Sequence, residues 1–187
     1  MMSNSTVVTS RSGQSDAEQS SAYALVILVE DHPGSADRVV GHLRRRRANM
    51  QTLVIGRCEQ PDQMRISAEV NDSEVGVDHL VEQLRKIANV HQVQHFPLSQ
   101  AIIRELALIR VNCAEGRVNE IIDLVHPFGA TAVDVTPDTL TLEIMSSVEH
   151  VERLVELLRP IGIREVAYSG RVAIARGTVA TQSAGEQ

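Results

Sequence analysis

Asp31-His32-Pro33-Gly34-Ser35 places a carboxylate, an imidazole and a Pro-Gly turn where an apolar run ends and a helix is predicted to begin. The first amides of a helix lack backbone partners and attract anions. Gly34 lets such a group approach the backbone closely. Asp31 at the strand tip can meet an ammonium, and Asn49, beyond the far end of the same helix, can donate and accept hydrogen bonds. Together these six residues, Asp31, His32, Pro33, Gly34, Ser35 and Asn49, suit a free amino acid. The structural alternative is a plain turn, with Asn49 closing the helix at its C-terminus.

Reactive chemistry is not expected. No nucleophile elbow, Walker loop, dinucleotide fingerprint or HExxH is present. Cys58 and Cys113 have no CxxC spacing and read as free thiols. His91 and His95 fall on one face of a predicted strand, yet no further ligand pattern joins them to either cysteine, so no metal site is expected. Glu149, Glu152 and Glu156, interleaved with Arg153 and Arg159, read as a solvated helix face.

The elements that must position the turn occur twice. Ala24 to Val29 is a strand-length apolar run, and Ala36, Val39, Val40 and Leu43 mark a helix ending in Arg44 to Arg47, where cations suit the dipole. Met50 to Arg57 and Met64 to Val70 form a hairpin. Val77, Leu80, Val81, Leu84 and Ala88 stripe a second helix, and Val90 to Phe96 closes the unit. A shift of 82 residues lays Leu106 to Val111 on the first strand, Gly116 on Gly34 and Ile121-Ile122 on Val39-Val40. Strands Ala130 to Val135 and Leu140 to Met145, a helix striped by Val148, Val151, Leu154, Val155 and Leu158, and Ile163 to Tyr168 complete the second unit. The second unit carries Ala114-Glu115-Gly116 at the equivalent turn, where the acid would repel a carboxylate.

The expected fold is therefore α+β, two ferredoxin-like βαββαβ repeats. Residues 1–22 and 178–187 are expected to be disordered tails, 23–97 the first domain, 98–104 a linker, and 105–177 the second domain. Both helices of a repeat share one sheet face. The other face, with Leu28 or Ile27, Leu53 and Ile66 expected on it by alternation, should be covered by another sheet or subunit.

Composition excludes several partners. Of 187 residues 43% are hydrophobic but only 2% aromatic, and the net charge is −6. An aliphatic, acidic chain lacks the stacking platforms and basic surface of a nucleic-acid binder. No run approaches the roughly 20 apolar residues of a membrane span, and no secretory signal is apparent, so a cytoplasmic protein is expected.

Several segments resemble the regulatory (small) subunit of acetolactate synthase, also called acetohydroxyacid synthase, whose first domain is an ACT domain. They are VEDHPGSADRVVGHL leading to ANMQTL, IRELALIRV, VDVTPDTLTLEI and REVAYSGRVAIARG. The resemblance implies a non-catalytic subunit that dimerises through its ACT domain and activates a large catalytic subunit. That partner would hold thiamine diphosphate, Mg and FAD, with no cofactor in this chain. It further implies feedback inhibition by valine or another branched-chain amino acid, bound between two ACT domains by an Asn-x-x-Gly turn and an Asn after the first helix. Gly34 and Asn49 match that pattern. Asp31 stands where Asn is usual, Ala36 replaces a larger aliphatic residue, Arg47 a glycine and Ala48 an aromatic residue. A free-standing amino-acid sensor or a regulatory module of another enzyme or transcription factor is the competing class, although no helix-turn-helix segment is present.

Overall fold

A computed structural model of the chain describes residues 21–46, 49–114 and 116–177. The first unit runs β1 (Ser21–Glu30), α1 (Ser35–Arg45), β2 (Asn49–Arg57), β3 (Gln63–Asp72), α2 (Glu74–Leu84) and β4 (Val90–Pro97). The second runs β5 (Ala101–Asn112), α3 (Val118–Val125), β6 (Thr131–Val135), β7 (Thr139–Ser146), α4 (Val148–Leu158) and β8 (Ile163–Ala175). Each makes a four-stranded sheet with antiparallel neighbours, ordered β2-β3-β1-β4 and β6-β7-β5-β8. This is the expected pair of ferredoxin-like repeats.

The two helix-facing cores are aliphatic. Leu25, Ile27, Val29, Ile66 and Ala68 meet Val39 and Leu43 of α1 and Val77, Val81 and Leu84 of α2. Ile109, Leu142 and Ile144 meet Ile121, Val151 and Leu154 in the second unit. Hence Ile27 and Ile66 lie in the helix-facing core, and Leu53 packs against it, not on the open face. Strand β1 is apolar on both faces, so its sequence carries no phase. In β2 a register shift between Met50 and Thr52 adds a residue and breaks the alternation.

Three boundaries also differ. Ser21 and Ala22, expected in the tail, begin β1, while residues 1–20 and 178–187 lie outside the described residues. Ala101 begins β5 inside the expected linker, leaving one 3-10 turn, Leu98–Gln100, between β4 and β5. Helix α2 stops at Leu84, short of Ala88.

The largest departure is the length of β8. It continues past Tyr168 to Ala175, pairing with β5 as far as Ala101↔Ala175. The resulting ribbon covers the open face of the first sheet: Ala24, Val26 and Phe96 bury against Ala101 and Ala173, with Leu98, Ile103 and Ala175 alongside. The cover expected from another sheet thus comes, over this part of the face, from the same chain. Arg65 donates to the Ala173 carbonyl at 2.6 Å, and the Arg171 amide donates to Thr52 Oγ1 at 3.3 Å. The Arg171 guanidinium donates to Glu69 at 2.7 Å. Close approach depends on Gly170, whose φ is +80° and where a Cβ would stand 2.6 Å from Val54 Cγ2.

Glu105 is buried beside this contact. Burial raises its carboxyl above the ordinary value; Arg171 opposes the rise, and Glu152 and Glu69 add to it. The folded state therefore holds this proton more tightly than the unfolded chain. Its stabilising contribution is full below the unfolded value, about 4.3, and is lost as pH rises through the folded one. Glu105→Gln should accordingly gain stability relative to wild type as pH is raised from about 4 to neutrality. Thermal unfolding across that range checks it, and a difference that shrinks with pH contradicts the assignment.

Candidate functional site

The turn after β1 is held from three sides. The Glu30 amide donates to the Asn89 carbonyl at 2.9 Å, and the Asp31 amide to the Asp62 carbonyl at 2.7 Å. The Asn89 side-chain amide donates to the Glu30 carboxylate, while its oxygen accepts from Arg38 of α1 at 2.9 Å. Asn89 itself adopts φ 72°, a left-handed conformation that asparagine tolerates better than most residues. Glu30, Arg38 and Asn89 position the turn and were not singled out from sequence. Their only signal was an Asn just after a helical stretch, a common place for left-handed backbone.

Within the turn Asp31, His32, Pro33 and Gly34 are exposed and Ser35 is buried. The Ser35 amide donates to the His32 carbonyl at 3.1 Å, and His32 Nδ1 lies 3.0 Å from the Pro33 carbonyl oxygen. Gly34 is the residue before α1, with φ 88°, and no side chain caps the helix. The start of α1 is thus an exposed, uncapped helix terminus whose positive end favours an anion. Asp37 in the first turn and Asp31 just before it temper that preference.

Asn49 lies elsewhere. Helix α1 ends at Arg45 with Arg46 as its C-cap, so Asn49 does not cap it; it opens β2, exposed, and accepts from the Gln51 amide at 3.2 Å. Asn49 pairs with Asn71 and Glu30 with Gln63, so the two halves of the candidate site are eight residues apart along β3. At about 3.4 Å per residue this is roughly 27 Å. One chain does not bring the turn and Asn49 onto one small ligand. A cavity of about 200 Å³ lies near the Asn49 end, lined by Arg46, Asp72, Gly76, His79, Leu80 and Gln83. It includes none of the six expected residues. Arg47 and Ala48 lie outside the described residues.

The second repeat treats its equivalent turn differently. Gly116 also has a left-handed backbone, φ 85°, but Arg117 before α3 forms a two-pronged bond to Glu120 at 2.9 Å on each arm. Glu120 thus stands in the first turn of α3 as Asp37 does in α1, but is held by the arginine beside it. Glu115 lies outside the described residues. Among the described residues no group of three or more His, Cys, Asp or Glu is placed to hold a metal ion, and no helix is long and apolar enough to cross a membrane.

Comparisons with known proteins agree with this architecture. Residues 25–92 match the family described as AHAS small subunit-like ACT domain, and residues 104–177 that described as small subunit of acetolactate synthase. The acetolactate synthase small subunit of Mycolicibacterium smegmatis is 37% identical over 155 residues, covering 83% of this chain and 91% of that protein. The probable acetolactate synthase small subunit of Archaeoglobus fulgidus is 34% identical over 83% of this chain and 97% of its own length. A crystal structure of acetolactate synthase small subunit from Thermotoga maritima superposes with a TM-score of 0.78 at 29% identity, covering 84% of this chain and 99% of that one. Two ferredoxin-like units, the first with a glycine-broken turn at an open helix start, define a two-domain ACT-type protein. The chain belongs to the acetolactate synthase small-subunit family.

The requirement at position 34 is one of backbone conformation rather than of space. A Cβ there would meet nothing within 4 Å, yet φ is +88°. Gly34→Ala should cost about 1–2 kcal/mol of stability from the left-handed backbone alone, and Gly34→Asn less. Urea unfolding of the two variants measures it, and an alanine variant as stable as wild type contradicts it.

Proposed function

We propose that the protein is the non-catalytic regulatory subunit of a cytoplasmic acetolactate synthase. On this reading it activates a large catalytic subunit, which holds thiamine diphosphate, Mg and FAD, and passes on feedback inhibition by valine or another branched-chain amino acid. The observation that carries the reading is the family match along both units, over residues 25–92 and 104–177, with an exposed, uncapped helix start after the Pro33-Gly34 turn of the first.

The 27 Å separation gives the ligand site its form. A free amino acid reaches both the turn and Asn49 only where the turn of one protomer meets Asn49 of another. Strand β2 is an edge of its sheet, and a two-fold pairing of ACT domains along that edge brings opposite ends together. The uncapped amides of α1 then take the α-carboxylate. Asp31 faces the ammonium, and the Asn49 amide completes the shell. The departures at Asp31, Ala36, Arg47 and Ala48 tune which side chain is accepted.

Reconstitution with the large subunit tests this directly. The chain alone should form no acetolactate, and the mixture should turn over several-fold faster than the large subunit by itself; equal rates refute the activating role. Valine should inhibit the mixture and Gly34→Asp should abolish that response, because the added carboxylate repels the ligand's own. Asn49→Ala should weaken binding by about 1.5–3 kcal/mol for each charge-assisted bond lost. Calorimetric titration with valine, leucine and isoleucine provides the numbers.

Assembly is a separate matter. Sedimentation of the chain at micromolar concentration should show a dimer or larger species, and a stable monomer contradicts a site shared between protomers.

A further inference from the structure

Asn49 and the interdomain contact share one face of one sheet. Asn49 pairs with Asn71, and the next pair on the same face is Thr52 with Glu69, the extra residue of the Met50–Thr52 register shift lying between them. Thr52 Oγ1 and the Glu69 carboxylate are the two groups of the first domain that hold Arg171 of β8. Two residues along β3 separate Asn71 from Glu69, roughly 7 Å. The Arg171–Glu69 pair is largely shielded, with side-chain exposures of 25% and 10%. Gly170 sets the backbone of β8 against Val54 and Thr52, so a displacement of β2 here has no slack to absorb it.

We infer that the Thr52–Arg171–Glu69 contact is the relay through which an amino acid bound at Asn49 is felt by the second domain. This rests on the effector reading above and adds the route by which that site regulates. Three features make the contact suited to a relay. It is the point where polar groups of β2 and β3 meet β8, and it lies one cross-strand pair from the ligand amide. The register shift between them is a place where β2 can change its path without unpairing the rest of the strand. A ligand drawing on Asn49 moves the start of β2, hence Thr52, hence the Arg171 amide and guanidinium. Arg65, which donates to the Ala173 carbonyl further along β3, keeps the ribbon attached whichever state the relay adopts. Arg171 is thus a positioning residue that touches neither ligand nor active site.

The test uses the complex reconstituted with the large subunit and three variants, Arg171→Gln, Glu69→Gln and Thr52→Val, with valine, leucine and isoleucine as probes. Thr52→Val keeps the shape of the side chain and removes only the acceptor, so it folds even if loss of the ion pair proves too damaging. The expected result is that each variant activates the large subunit and binds the amino acid with a Kd close to wild type, while inhibition falls sharply. A coupling of ordinary strength, about 5- to 150-fold, should shrink toward onefold. Amide exchange at Arg171 to Ala175 should change on ligand binding in wild type and remain unchanged in the variants. If wild type is inhibited and all three variants are inhibited equally, the relay is wrong and the effector reading stands. If a variant loses activation, binding and inhibition together, Arg171 is only structural and the relay is again overturned. If wild type neither binds nor responds to any of the three amino acids, the effector reading fails, and the relay with it.

Discussion

The structure depends on a ribbon that one chain folds across itself. Strands β5 and β8 run on beyond the second sheet, and one face of β5 is buried or half-buried along its length, first against the ACT sheet and then against the helices of its own unit. A ferredoxin-like sheet with helices on one side leaves its other side bare, and burying that side without a second protein requires a strand pair long enough to serve two cores. The 13 residues of β8 meet this need. Gly170 is the narrow point, because a side chain there would collide with Val54 and would have to adopt a left-handed backbone. Removing water from the contact also places Glu69, Arg171 and Glu105 together in a shielded setting. Two carboxylates around one guanidinium are tolerated there through the Arg171 hydrogen bond and the upward shift of Glu105.

Helix periodicity and turn residues made the repeats legible from sequence. Val39, Leu43, Val151 and Leu154 all face cores, and the Pro33-Gly34 turn lies where an apolar run meets a helix. Phase within strands was far less legible. Ala24 to Val29 is apolar at every position because helices cover one side and the ribbon the other, so alternation could not say which residues face which. In β2 the inserted residue reversed the reading for Leu53. Ser169-Gly170 looks like a strand end, and only the close packing of two domains explains why pairing resumes beyond it.

The candidate site was legible by residue type but not by distance. The local features, a left-handed glycine before an uncapped helix, follow from Pro-Gly at a strand-to-helix junction. The supporting network does not, because Glu30, Arg38 and Asn89 come from a strand, a helix and a turn that meet only in three dimensions. Nor does sequence proximity reveal that α1 carries the chain to the opposite end of the sheet, placing Asn49 beside Asn71 rather than beside Asp31.

The two repeats share a turn before their first helix and differ in how its charges are paired. Both keep a left-handed glycine after their first strand, at 34 and 116, so the backbone device is common to both. The difference lies in what meets the helix start. In the second unit Glu120 lies in the first turn of α3, locked by both arms of Arg117, which places a carboxylate of the chain at the positive end of the helix. In the first unit Asp37 stands in the same place in α1, while Arg38, the cation beside it, points away to Asn89 and steadies the turn from behind. Each helix start thus carries a carboxylate of the chain in its first turn, and in the second unit that carboxylate is tied down by the neighbouring guanidinium. The unit whose first helix start is closed by its own ion pair is also the unit whose β8 reaches across to pack on the other.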